Sequence, residues 1–152
     1  MLSDQIINEL QLIVGKDNVF TSKADRICYS YDATQQSFLP DVVVHPGSTD
    51  EISRIMKLAN TEMVPVFPRG AGSGFTGGSL PTLGGIVLCT ERMDRILEID
   101  EDNLVATVEP GVIWKMGGGS RIDVDGAPFA ETADLYSMPQ HAADVILAEQ
   151  HR

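Results

Sequence analysis

A chain of 152 residues has the length of one domain, and its 43% hydrophobic content is enough for a packed core. The formal charge of -11 argues against a nucleic-acid partner, which selects basic surfaces, and disfavours an anionic membrane surface. The sequence holds no run of 18 apolar residues, and Met1-Leu-Ser-Asp4 lacks the basic and apolar regions of a secretory signal, so no membrane span and a cytoplasmic location are expected.

The first predicted element is a helix over residues 4–14, where Ile6, Leu10, Ile13 and Val14 share one face and Gly15 follows as a C-terminal cap. A short extended piece, Asn18 to Thr21, comes next, then a weak helical preference over residues 23–31 and a loop from Gln35 to Pro40. Val42-Val-Val44, bounded by Pro40 and Pro46, reads as a buried strand. Ser48-Thr-Asp-Glu51 fits a capping box, and Ile52, Ile55, Met56 and Ala59 continue it as an amphipathic helix. Val64 to Phe67 returns as a strand, which makes a βαβ unit with parallel strands and a right-handed crossover. Ile86 to Cys89 is a third apolar strand. Ile96 to Ile99 and Leu104 to Val108 form a hairpin across the polar turn Asp100-Glu-Asp-Asn103. The fold class is therefore α+β, a βαβ unit followed by mixed or antiparallel strands. Beyond Trp114 the character changes: Lys115 to Ser120 is linker-like, residues 121–139 lack a period, and Ala142 to Gln150 could form a short helix.

The segment Pro68-Arg-Gly-Ala-Gly-Ser-Gly-Phe-Thr-Gly-Gly-Ser-Leu-Pro81 carries the chemistry. Seven glycines lie between Arg69 and Gly85. Glycine permits positive φ and a close approach of backbone to ligand, so successive amides can converge on an anion. The loop leaves an apolar strand, where parallel sheets place ligands. Arg69 adds a charge with bidentate phosphate geometry, and Ser73 and Thr76 add hydroxyl donors. Gly72-Ser-Gly-Phe-Thr-Gly77 also satisfies the dinucleotide pattern G-x-G-x-x-G, but that motif needs a helix at its end, and Gly78, Pro81, Gly84 and Gly85 follow instead. A P-loop needs a lysine, and this loop has none. From the residues alone, an anion cradle and a ligand-free hairpin loop both remain open.

Other titratable groups read as structural. His45, beside Pro46 with no His or Cys near in sequence, is expected to be a satisfied core histidine. Cys28 and Cys89 have no partner at metal-ligand spacing and are expected to be small buried hydrophobes. Asp100, Glu101 and Asp102 form a solvated turn without metal-ligand spacing. Asp94 and Glu98 are polar positions near a strand, His141 and His151 surface positions, and Trp114 a core or interface anchor.

Several pieces together carry a resemblance. They are Tyr29-Ser-Tyr-Asp-Ala33, Asp41-Val-Val-Val-His-Pro46, Pro65 to Ser79, Met93-Asp-Arg-Ile-Leu-Glu-Ile-Asp100 and Val105-Ala-Thr-Val-Glu-Pro-Gly-Val112. In order and spacing they resemble the N-terminal part of FAD-linked oxidases of the vanillyl-alcohol oxidase/PCMH type, most closely the glycolate oxidase flavin subunit and D-lactate dehydrogenase group. The resemblance implies the first lobe of a PCMH-type FAD-binding domain over residues 1–114, and an unmatched tail over 115–152. It implies that Arg69, Gly70, Ala71, Gly72 and Ser73 contact the pyrophosphate of FAD, with Gly74, Gly77, Gly78 and Ser79 next, and Pro68, Gly111 and Val112 nearby. The loop has no His for covalent flavin attachment, so dissociable FAD is expected. The family's second flavin segment, its cap domain and its catalytic His and Arg groups match nothing here. The expectation is an incomplete 2-hydroxyacid oxidoreductase, inactive alone, with no catalytic residue to assign and no metal. A small 2-hydroxy acid is the substrate implied for a complete enzyme only. A homodimer or a partner subunit would cover apolar surface left exposed. The alternatives are a non-catalytic module that completes a flavin site with a partner chain, or a degenerate fragment.

Overall fold

The computed structural model describes residues 2–100, 103 and 105–112. Trp114, the expected linker at 115–120, the expected helix at 142–150, His141 and His151 lie outside the described residues. The chain divides into two compact units, Met1–Met93 and Asp94–Arg152.

The first unit opens with α1, Asp4–Val14, the expected amphipathic helix with Ile6, Leu10 and Val14 buried. Ser3 Oγ accepts the Ile6 amide at its start, and Gly15, at φ 86°, returns its N–H to the Gln11 carbonyl. A 3-10 turn, Lys16–Asn18, leads into the two-residue strand β1, Val19–Phe20. Helix α2 is short, Lys23–Cys28, with Ser22 capping through the Asp25 amide. Cys28 on this helix is exposed, against the expectation of a buried residue, because the short helix buries none of its positions.

Strand β2 is Val42–Val44, buried throughout. Helix α3, Thr49–Thr61, starts at the expected box, but with a shift. Ser48 Oγ accepts the Glu51 amide at 3.2 Å, whereas the Glu51 carboxylate reaches one residue further back and accepts the Gly47 amide at 2.7 Å. Strand β3 is Val66–Arg69, two residues later than the periodicity predicts. The Val64 amide is held by the Ala59 carbonyl at 2.9 Å, closing the helix end, and Pro65 has no amide to offer a ladder. Strand β4 is Ile86–Cys89.

The sheet order is β1-β2-β4-β3. Strands β2, β4 and β3 are parallel, and β1 runs antiparallel to β2. The two strands of the expected βαβ unit, β2 and β3, share a direction but are not neighbours, because β4 lies between them. Among the described strands β3 is an edge, which is where Pro68 can sit inside a strand.

Alternation sorts the side chains onto two faces. Val42, Val44, Ile86 and Leu88 pack with Leu10, Ile55 and Ala59 in the main core under α1 and α3. Val43, Val87 and Cys89 form a smaller cluster with Phe20, Tyr29 and Phe67 on the other face. Each fully buried aliphatic side chain contributes about 1.5–3 kcal/mol through its removal from water, so the helical face supplies most of the stability. Gly85 enters β4 at φ 75° with its backbone pressed against Pro65, whose carbonyl oxygen lies 2.3 Å from where a Cβ would stand. No larger residue fits there.

The second unit holds a hairpin of β5, Ile96–Asp100, and β6, Val105–Val108, paired antiparallel with an irregularity between Ile96 and Glu98. Asn103 donates to both carboxylate oxygens of Asp100 at the expected turn. Arg95 grips Glu109 through its guanidinium, at 2.7 and 3.1 Å, and through its backbone amide. The Arg95 hydrogen bonds hold the Glu109 carboxyl below its ordinary range. The architecture is α+β with a mixed sheet. No described helix is long and apolar enough to cross a membrane.

Candidate functional site

The glycine-rich loop begins where β3 ends, at the C-terminal edge of the three parallel strands. Parallel ladders leave that edge free for ligands, because the strands' last amides and the following loops converge there. Pro68 and Arg69 still belong to β3, and Thr90 donates its amide to the Arg69 carbonyl, anchoring the loop's root. Gly70, Ala71, Ser73, Gly74, Phe75 and Thr76 are exposed. The amides of residues 70–76 donate to no acceptor among the described residues. A Cβ placed on Gly70 or Gly74 would meet nothing within 4 Å. An open surface with unspent amide donors is what an oxyanion needs in order to approach.

The far end of the loop is closed differently. Gly77 takes a positive φ of 73°, and its carbonyl accepts the Leu80 amide at 3.1 Å. Leu80 is buried and anchors that end. Gly78 and Ser79 lie between. Ten of the expected contact residues, Pro68 to Gly74 with Gly77, Gly78 and Ser79, thus belong to one strand end and its loop, whereas Gly111 and Val112 belong to the second unit. There the Val112 amide donates to the Glu109 carbonyl.

Arg69 is placed in an unexpected way. Instead of presenting an exposed guanidinium, it is 7% exposed, and its side chain turns beneath the loop. Nη1 donates to the Tyr31 carbonyl at 2.7 Å, and the guanidinium lies 5.7 Å from the Tyr29 ring centroid. Gly72 arches over it at φ 69°, so closely that a Cβ there would stand 2.1 Å from Nη2. A delocalised, weakly hydrated cation tolerates this burial against an aromatic face. The positive charge remains beneath Gly72, so it adds to the field of the neighbouring free amides.

The segment that holds Arg69 was visible in the sequence only as Tyr29-Ser-Tyr-Asp-Ala33, with no sign of its purpose. Tyr29 also packs edge-on against His45, with centroids 5.4 Å apart. Burial, with Glu91 close by, pushes its phenol up to about 12. Asp32 is buried, and the Thr34 hydroxyl and amide hold its carboxyl below the ordinary range.

A second departure concerns His45 and Cys89. The side chain of His45 is buried, yet its Nε2 has no hydrogen-bond partner, so it is not the satisfied core histidine that its local sequence suggests. Val44 pairs with Leu88 in the parallel ladder, which brings the next residues, His45 and Cys89, side by side. Their sequence separation conceals this. Burial lowers the His45 pKa, against an opposing pull from Glu91 and with a smaller push from Arg92.

The glycine-rich loop leaves a parallel-stranded edge with free amides over a buried arginine, and no helix starts at its end, so it lacks the Rossmann arrangement. Comparison with known proteins agrees. Residues 40–116 match the model of the FAD binding domain family, and the chain belongs to that family. It is 48% identical over 114 residues to glycolate oxidase subunit GlcD of Bacillus subtilis, covering 74% of this chain and 24% of that protein. It is 46% identical over 92 residues to D-lactate dehydrogenase of Archaeoglobus fulgidus, covering 57% and 20%. The chain thus spans no more than about a quarter of these relatives' length. Among solved structures it resembles 4-ethylphenol oxidase from Gulosibacter chungangensis, with a TM-score of 0.62 and 33% identity over 71% of this chain and 22% of that one. It also shares the fold of p-cresol methylhydroxylase, with a TM-score of 0.63 and 20% identity over 71% and 22%. The fold is the PCMH-type FAD-binding fold.

Proposed function

We propose that the loop of residues 68–79 binds the pyrophosphate of FAD, without a covalent bond, as the cofactor lobe of a flavin-dependent 2-hydroxyacid oxidoreductase of the glycolate or D-lactate type. The observation that carries this reading is the run of unpartnered amides over residues 70–76, on a surface left open by Gly70 and Gly74. Amides from Gly70, Ala71, Gly72, Ser73 and Gly74 would donate to the phosphate oxygens, with Gly77, Gly78 and Ser79 shaping the loop's return. Pro68 fixes the direction from which the chain enters. Arg69 contributes its charge from beneath and keeps Gly72 in its arch. Bound FAD would supply the two-electron redox chemistry of a complete enzyme acting on a small 2-hydroxy acid. Gly111 and Val112 are further proposed contacts, on the strength of the family resemblance. The lack of a His in the loop, where some relatives attach flavin, supports dissociable binding.

The test is titration of the chain with FAD, followed by flavin fluorescence and thermal shift. Binding to the native state must raise stability as the ligand concentration rises. Replacing Gly70 and Gly74 by Ala should leave the unliganded protein's melting temperature unchanged and weaken FAD at least tenfold, because the methyl groups occupy the anion's approach. Equal FAD affinity in the double variant would remove the loop from the site. A second reading, association with a partner chain, draws support from the relative described as a subunit of glycolate oxidase. Light scattering of the chain alone, and after mixing with candidate partner subunits, separates the two assemblies.

A further inference from the structure

Three ligand-type side chains meet on the face of the sheet opposite the main core. A ring nitrogen of His45, the Sγ of Cys89 and a carboxylate oxygen of Glu91 all lie within 4.8 Å of one another. They are brought together by the parallel β2–β4 register, with Glu91 two residues past the end of β4. We propose that His45, Cys89 and Glu91 form a binding site for a single thiophilic divalent cation of the Zn2+ class.

Four observations carry this. The donor set combines imidazole, thiolate and carboxylate, each a common zinc ligand, and three protein ligands leave the fourth position of a tetrahedral ion open. The edges of such a tetrahedron run to about 3.5 Å at ordinary zinc bond lengths, so the three groups need only close up modestly around an ion. His45 is buried and its Nε2 has no hydrogen-bond partner, a state that an imidazole in a packed protein rarely keeps without a ligand. Glu91 is exposed, so the otherwise buried pair has a side open to an incoming ion.

The charges are consistent. A thiolate and a carboxylate together neutralise a divalent ion. Two arginines lie nearby, and both are committed elsewhere: Arg69 to the Tyr31 carbonyl and Arg92 to the His45 carbonyl. Anchoring the His45 backbone in this way also fixes the ring's starting position. Phe20 and Tyr29 pack against the same imidazole, with centroids 4.7 and 5.4 Å away, and restrict its rotation. Without a metal, burial holds the Cys89 thiol protonated, its pKa pushed up to about 12. Binding therefore replaces the thiol proton with a metal–sulfur bond and releases that proton to solvent, while the neutral imidazole loses none.

Cobalt(II) reports on the site directly, because a thiolate ligand adds an intense near-ultraviolet charge-transfer band to the visible bands of a tetrahedral ion. The chain, stripped of metal by chelator and free of FAD, is titrated with Co2+ and then challenged with Zn2+. The expected result is a charge-transfer band saturating at one cobalt per chain and bleached by one equivalent of zinc. Cys28→Ser, which removes the exposed thiol, should keep the band; Cys89→Ser should lose it; His45→Gln should weaken cobalt binding at least tenfold. Circular dichroism checks that the variants remain folded. Absence of the band in the folded wild-type chain overturns the proposal even if a variant fails to fold, and so does a band that survives Cys89→Ser or disappears with Cys28→Ser.

Discussion

Replacing Gly72 by Ala tests the account of the loop most sharply. At φ 69° an alanine adopts the left-handed region, which costs about 1 kcal/mol relative to glycine. Its Cβ would also stand 2.1, 2.4 and 2.8 Å from Nη2, Cζ and Nη1 of Arg69. A guanidinium at the end of a free side chain would swing away at little cost. Here the side chain is buried and bonded to the Tyr31 carbonyl at 2.7 Å, so moving it sacrifices a charge-assisted hydrogen bond. A lost bond of that kind costs about 1.5–3 kcal/mol, which puts the whole effect at about 2.5–4 kcal/mol. For a unit of this size the melting temperature should fall on the order of 10–30 °C. Thermal melts and urea titrations without FAD measure this, with Gly74→Ala as the control, since nothing lies within 4 Å of its added methyl. A double-mutant cycle with Arg69→Leu adds a second check, because shortening the side chain should relieve most of the Gly72→Ala penalty. Gly72→Ala melting within about 1 kcal/mol of the wild type, or Gly74→Ala costing as much, would refute the picture of a loop clamped onto a buried arginine.

Three further outcomes follow from the same structure. Gly85→Ala drives a methyl to 2.3 Å from the Pro65 carbonyl oxygen, a backbone atom that cannot step aside, so it should destabilise the chain more than Gly72→Ala in the same urea titration. Ser48→Ala removes the acceptor for the Glu51 amide at the start of α3 and should cost about 0.5–2 kcal/mol, with Ser48→Thr recovering most of it. Glu109 has a carboxyl held below its ordinary pKa by Arg95, so its contribution is present above the unfolded carboxylate range and is lost as pH falls through the depressed folded value. A carboxyl-carbon NMR titration should give Glu109 a midpoint below that of an exposed glutamate, and Arg95→Met should return it to the ordinary range.

Local patterns were read well because they depend on neighbours in sequence. The faces of α1 and α3, their Ser caps, Gly15 as a stop signal and the β-branched run Val42–Val44 all state their structure within a few residues. Errors came where a distant partner decides. Strand β3 begins at Val66 because Ala59 claims the Val64 amide. Insertion of β4 between β2 and β3 depends on long-range pairing that no local period encodes. The open glycine loop after β3 was legible from composition and from the strand before it. The inward turn of Arg69 was not, because it depends on Tyr29 and Tyr31, about 40 residues away in the chain. The same applies to His45 and Cys89, whose proximity is a property of the parallel register alone.

Pro68 has a consequence outside ligand chemistry. It lies in β3, the outer strand of the parallel sheet among those described, and it has no amide hydrogen to offer a further strand. At the opposite edge, β1 is only two residues long. An exposed β-edge is a template on which a second molecule can add a strand and seed aggregation, and proline is among the residues that blunt it. The proline that leads the chain out of β3 and into the glycine-rich loop therefore also protects the sheet from intermolecular growth. Replacing it with a β-branched residue that restores the amide would leave the sheet's core packing intact and make the protein more prone to self-association as its concentration rises.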